Sequence, residues 1–327
     1  MLCAAHHQPK YNTPNIKELL KKNVPSLSES PGEKVTFSQE QVYIIVALTI
    51  LLTIYLTCLP IFVVIWFQSC TECPLNYLSN IYLLVPLLGG ALGFTKLWLN
   101  DKNVRNYPAP FTFYYFALIS WGIGNLIWTT YNVLGYPIPY PSIDDFAFLL
   151  CNTLCMMGMV IHVKRTAAIQ PFRYANFKIR MATFGMALIL LMALLRQGTQ
   201  LQDDYLKQGD YVKFIKFILD VVLPLFSGIF FALLNLWRYD PSFMNLEKSL
   251  KNSIRVMRYG AFFLFLADFG FSIGTLVPGH NFPAYFNGGW QDFCYATGML
   301  LLSVGSLFIS PQLLKHSATV SELAEQL

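Results

Sequence analysis

Charge is what this sequence has least of. Asp, Glu, Lys and Arg together make up 13% of its 327 residues, against about a quarter in a soluble domain. Hydrophobic residues reach 55%, and mean hydropathy is +0.46, so most of the chain must face lipid or other buried spans. Histidine is scarce too. Of five, His162 falls at the end of an apolar run, His280 in a loop and the rest near the termini, which argues against a bis-histidine haem. No phosphate-binding glycine loop, nucleophile elbow or HExxH is present. We therefore expect no enzymatic chemistry and no metal site, and the sequence names no cofactor. The seven cysteines show no zinc spacing. Cys70 and Cys73 are the one close pair in a loop, compatible with a strained local disulfide on an oxidising face, while Cys151 and Cys155 read as small apolar filler. The net charge of +5 is no nucleic-acid signal, because its basic residues sit between apolar runs. A cleavable signal is also absent: the first apolar run, Val42 to Phe67, exceeds the roughly 7–15 residues of such a core.

Long apolar runs are what the chain does have. Residues 1–40 are polar, with Pro9, Pro14, Pro25 and Pro31, and read as a largely disordered tail. Ser38 with Gln41 fits a capping box that opens the first span. Spans are expected at 41–67, 79–99, 111–134, 143–163, 179–195, 212–238, 256–277 and 290–310, each near the roughly 20 residues that cross the hydrocarbon. Breaks fall at turn chemistry such as Pro108 and Pro110, Gly135 to Pro141 and Gly279 to Gly289. With the N-terminus inside, 19 of the 23 lysines and arginines collect on the cytoplasmic side. Only Arg196, Lys207, Lys213 and Lys216 lie outside. The expected fold is an all-α polytopic membrane protein of eight transmembrane helices, both termini cytoplasmic.

The two halves of the chain resemble each other. Pro86-Leu87-Leu88-Gly89-Gly90 matches Pro224-Leu225-Phe226-Ser227-Gly228. Further along, Gly124-Asn125 matches Ala267-Asp268 at an offset of 143, and Asp145-Phe146 matches Asp292-Phe293 at 147. An offset that only grows is what small loop insertions produce. Four spans per half is an even number, which keeps both halves in one orientation and predicts a parallel 4+4 repeat about the membrane normal. Its halves would be residues 41–165 and 166–312, followed by a short cytoplasmic tail, 313–327.

Polar residues inside such spans are the candidates for function. Asp268 lies midway along its span, where an ionisable group marks a functional site by default; the competing reading is a hydrogen bond that glues helices. Its repeat mate is Asn125, and the two are expected to meet. Asp145 and Asp292 each fall three residues after a helix-capping position, Ser142 and Gly289, where a carboxylate reaches back to free backbone amides. The loops before them supply Tyr140 and Trp290, and Trp128 lies one turn beyond Asn125. Together these seven residues are the expected wall of a ligand cavity between the halves. Lys96 near the end of its span is expected to snorkel, and Gly89 with Gly93 to let helices approach closely.

The run from Trp121 through Pro139-Tyr-Pro-Ser-Ile-Asp-Asp-Phe146 to Leu150, with Ala267-Asp268 and Gly289-Trp290-Gln-Asp292 to Gly298, resembles a bacterial membrane module. It is similar to the multi-span N-terminal sensory region found ahead of diguanylate cyclase and phosphodiesterase domains and of some histidine kinases. The resemblance covers roughly residues 40–312. It implies a sensory role in a bacterial inner membrane. Only about 16 residues follow Pro311, so the output is expected to lie in a separate cytoplasmic or membrane signalling partner. The expected function is a sensory or ligand-binding module taking a small apolar ligand. A transporter or channel for a small solute, and a scaffold subunit of a membrane complex, are the alternatives.

Overall fold

A computed structural model describes residues 39–68, 80–99, 109–136, 142–167, 211–238, 248–276 and 288–308. Every regular element among them is helical: α1 (Gln39–Gln68), a 3-10 turn (Asn80–Leu83) running into α2 (Leu84–Leu99), α3 (Ala109–Leu134), α4 (Ile143–Ala167), α5 (Tyr211–Arg238), α6 (Lys248–Leu276) and α7 (Trp290–Leu307). Among the described residues three stretches are long and apolar enough to cross a membrane: Gln39–Ile65, with a mean hydropathy of 2.5, and Asn80–Leu99 and Ile143–Ile161, both at 1.5. This fits a helical membrane protein. The span expected at 179–195 lies outside the described residues. α6 begins at Lys248, eight residues before the expected start at 256. Its first two turns hold Lys248, Lys251 and Arg255, good helix formers that hydropathy does not register.

α1 shows how the class is built. It buries one stripe, Ala47, Leu51, Cys58, Phe62 and Ile65, and leaves apolar residues such as Val42, Val46, Leu56 and Val63 exposed around it. A helix that is apolar on every side but pairs along one stripe faces other helices there and lipid elsewhere. With lipid as solvent, apolar burial between helices drives little, and association falls to close packing and interhelical hydrogen bonds.

Both devices are present. α6 and α7 meet backbone to backbone. A Cβ built on Gly260 would stand 2.9 Å from the Gly298 carbonyl oxygen, and one on Gly298 would stand 3.1 Å from that of Gly260. Two turns away, Ser253 donates to the Gly305 carbonyl. α3 and α4 pack as a second pair, held by Ser120 Oγ donating to the Ala147 carbonyl at 2.8 Å. α2 lies against α3 and α7, and α5 against α6 and α4. A core of Tyr114, Tyr115, Met159, Phe230, Met257 and Leu302 joins these helices. α3 ends on Gly135, at φ +67, with Gly135 N–H donating to Asn132 O at 3.2 Å and Tyr136 N–H to Tyr131 O at 3.0 Å. These are the two bonds of a Schellman stop, which a glycine makes without strain.

Lys96 departs from the expected snorkelling. It is 2% exposed; its ammonium donates to the Leu307 carbonyl at 2.6 Å and pairs with Glu40 at 3.2 Å. Beside it Tyr115 donates to the Ser306 carbonyl at 3.1 Å. The last carbonyls of α7 have no partners within their own helix. A lysine and a tyrosine from α2 and α3 supply them, and the positive charge suits the helix C-terminus.

Candidate functional site

At the opposite end of the bundle from Lys96, the 3-10 turn, α4 and α7 begin close together. Each of the latter two opens on a carboxylate. Asp145 accepts the Ser142 backbone N–H at 2.9 Å, and Ser142 Oγ donates to Asp144. Asp292 accepts the Gly288 N–H at 2.7 Å and the Tyr82 hydroxyl at 3.3 Å. Both aspartates therefore bond the chain just before their helix, as the spacing predicted. The residue at the cap of α4 is Ser142, whose hydroxyl turns to Asp144, and that at the cap of α7 is Gly289, at φ −68 and ψ −179, which has no side chain to offer.

These termini ring a cavity that reaches inward between α3, α4, α5, α6 and α7. The first half of the chain contributes Tyr82, Trp121, Asn125, Trp128, Asp144, Asp145 and Phe148. Leu223, Asp268, Phe271, Asp292 and Tyr295 come from the second. Trp121 is the hub of its aromatic side, with ring centroids 5.7 Å from Tyr82 and Phe148 and 5.5 Å from Tyr295. Trp128 meets Phe271 edge-on at 6.5 Å. The space open to water centres is about 50 Å³. One water needs roughly 10–15 Å³ by the same measure, so there is room for a few waters or one small molecule.

Asp268 forms part of the floor. It is 5% exposed and accepts the Tyr295 hydroxyl at 2.8 Å. The Asn152 amide, shared with the Leu223 carbonyl, reaches it at 3.5 Å. The expected partner, Asn125, is not among these. Asn125 stands in the same wall, 4% exposed, with its amide nitrogen unpartnered. Asn80 and Gln291, near the Tyr82–Asp292 bond in sequence, are buried as well, with both side-chain polar atoms unpartnered. A buried orphan of this kind costs about 1–3 kcal/mol, and of the three Asn125 is the one in the described cavity wall.

Of the seven residues singled out in the sequence, Asn125, Trp128, Asp145, Asp268 and Asp292 share this wall. Trp290 does not: its ring lies on Gly270, where any Cβ would strike it, so it packs α7 against α6. Tyr140 lies outside the described residues, as do Cys70, Cys73 and His280. Sequence reasoning missed Tyr82, Trp121, Asp144, Phe148, Leu223, Phe271 and Tyr295 in the wall, and Asn152 behind it. Asn152 had a signal, standing seven residues, two helical turns, after Asp145. Cys151 and Cys155 are free and buried, as filler would be.

Comparison of the chain with family models, with curated proteins and with solved structures finds no match.

Proposed function

We propose that this protein is an integral membrane sensory or ligand-binding module. Its ligand sits in the cavity between two repeated halves, and a separate partner carries the output. The observation that carries the proposal is the symmetry of the wall. Asn125 and Asp268 are related by the offset of 143 read from the sequence, and so are Trp128 and Phe271. Asp145 and Asp292 are related by 147, and so are Phe148 and Tyr295. A cavity walled by matched residues lies on the axis relating the halves, where repeat proteins of the membrane bind small molecules. The neighbour pattern of the helices supports the same repeat. If α2, α3 and α4 exchange with α5, α6 and α7, the packing of α2 on α3 and α7 becomes that of α5 on α6 and α4.

In this reading eight helices span the bilayer with both termini cytoplasmic, and the cavity faces the other side. The basic residues fall accordingly, and the resemblance to bacterial sensory regions points the same way. Binding is favoured over passage because the Tyr115, Met159, Met257 and Leu302 core fills the bundle and Lys96 is bound at its far end. Cysteine labelling tests the topology: positions near 170 and 248 should react from the cytoplasm, those near 138, 205 and 283 from outside. Positions 170 and 283 on one side would end the eight-span arrangement.

Native mass spectrometry of the gently solubilised protein tests the site. The wild type should carry a small molecule that Asp268→Asn loses while staying folded. The substituted amide keeps an acceptor for Tyr295, and its nitrogen can donate to the unpartnered Asn152 Oδ1. Unchanged retention in that variant would make Asp268 a structural residue and sink the site.

A further inference from the structure

We infer that the cavity takes a small organic cation carrying one acceptor oxygen, an amino alcohol or its quaternary ammonium form; this rests on the ligand-binding reading above. Three features of the wall converge on that chemistry. Asp268 is almost wholly buried, and its described partners, the Tyr295 and Ser227 hydroxyls and the Asn152 amide, are neutral. Among the described wall residues there is no lysine, arginine or histidine. A positive ligand supplies the counter-charge that such a carboxylate needs in a low-dielectric site.

The second feature is aromatic. Trp121 and Trp128 stand in the same wall as Asp268, and indole is the ring whose face attracts an ammonium group best, a mode used for quaternary amines above all. Rings with a carboxylate suit a diffuse organic charge better than a metal ion. Consistent with that, the described residues contain no group of three or more His, Cys, Asp or Glu placed to hold a metal. The third feature is Asn125. Its buried amide nitrogen has a proton to give and no acceptor among the described residues, which calls for an oxygen on the ligand. The 50 Å³ open to water centres limits the molecule to a handful of heavy atoms. An apolar ligand, the expectation from the sequence, would leave Asp268 without a counter-charge and Asn125 without an acceptor.

Three probes of nearly one shape separate these features. Choline has the charge and the hydroxyl, tetramethylammonium only the charge, and 3,3-dimethylbutan-1-ol only the hydroxyl. Each is titrated into the full-length protein in nanodiscs, read by calorimetry and by tryptophan fluorescence. Choline should bind saturably, at least tenfold tighter than dimethylbutanol and several-fold tighter than tetramethylammonium. Asp268→Asn should weaken choline at least tenfold and leave dimethylbutanol unchanged. Asn125→Leu should abolish the preference for choline over tetramethylammonium. Where Asp268→Asn fails to fold, Trp128→Leu makes the same comparison, with a loss of roughly five- to tenfold for choline alone. Equal binding of choline and dimethylbutanol overturns the cationic assignment and leaves the cavity a ligand site. So does the absence of binding by all three while native mass spectrometry finds another molecule retained. No probe bound and no molecule retained by the folded protein would bring down the inference and the ligand-binding reading together.

Discussion

The α3–α4 and α6–α7 pairs are built to the same plan and held by different means. In the second, glycines face each other, Gly260 on α6 and Gly298 on α7, so that backbone touches backbone. At the offsets that align the cavity residues, the first pair has Ala117 and Cys151, both fully buried. Both pairs add a bond from a serine side chain to a carbonyl one helix away, Ser120 to Ala147 in the first and Ser253 to Gly305 in the second. The polar residues diverge as well: an amide, Asn125, stands where the other pair has an acid, Asp268. The difference teaches that the plan of a helix pair survives a change of glue, provided that each contact is remade in kind. It also teaches where tolerance ends. A seam of facing backbones has no rotamer to adjust, whereas a seam of side chains has several.

The largest effect should therefore come from Gly260→Ala. Its methyl group would press on backbone atoms at 2.9 Å, and overpacking of this kind costs about 3 kcal/mol. Cys151→Ala in the other pair should cost about 1 kcal/mol. Chemical unfolding of both variants in micelles makes the comparison, and equal losses would show that the two seams are alike after all.

Next comes the third helix of each set. Lys96 on α2 bonds α7 and α1. Asn235, its counterpart on α5 at the offset of 139 that aligns Leu97-Trp98 with Leu236-Trp237, bonds its own helix through the Phe231 carbonyl at 2.9 Å and, among the described residues, no other helix. Lys96→Met should lower stability by about 2 kcal/mol, since it strands a helix-end carbonyl and a carboxylate. Asn235→Met should stay within about 0.5 kcal/mol. A neutral Lys96→Met in the same unfolding assay would mean that α7 ends as well without its tether.

The smallest contrast concerns the two aspartates at the helix starts. Asp292 holds a backbone amide and the Tyr82 hydroxyl, and follows a glycine cap. Asp145 holds the Ser142 amide, while the Ser142 hydroxyl turns to Asp144. Asp292→Ala should cost about 1.5 kcal/mol and Asp145→Ala roughly 1 kcal/mol. The reverse order in thermal melts would remove the distinction drawn between the caps.

Much of the helix layout could be read in advance, because hydropathy and punctuation agree. Gly135 stops α3 where its turn chemistry says, and α4 opens right after Ser142. The start of α6 could not, since Lys248 and Arg255 are helical without being apolar. In the site, Asn125, Asp268, Asp145 and Asp292 stood out as polar residues at repeated offsets. Tyr82, Trp121 and Tyr295 did not, because an aromatic residue in an apolar run looks the same whether it faces a cavity or the core. The matching of Phe148 with Tyr295 was there to be found at the offset of their neighbouring aspartates. Lys96 was misread for a different reason. Whether a lysine near a helix end reaches water or a partner depends on residues far away in the chain, and nothing local records them.

That distance has a consequence for how the chain is made. The carbonyl that receives Lys96 lies 211 residues later. At synthesis rates of about 5–20 residues per second, α2 waits in the membrane for roughly 10–40 s before that acceptor exists. Glu40, on the earlier helix α1, is on hand throughout the interval. Until α7 arrives the ammonium lacks its helix-end acceptor, and a chain cut short of Leu307 never gains it. The tether of α2 to α7 is thus among the last contacts this chain can make as it is synthesised.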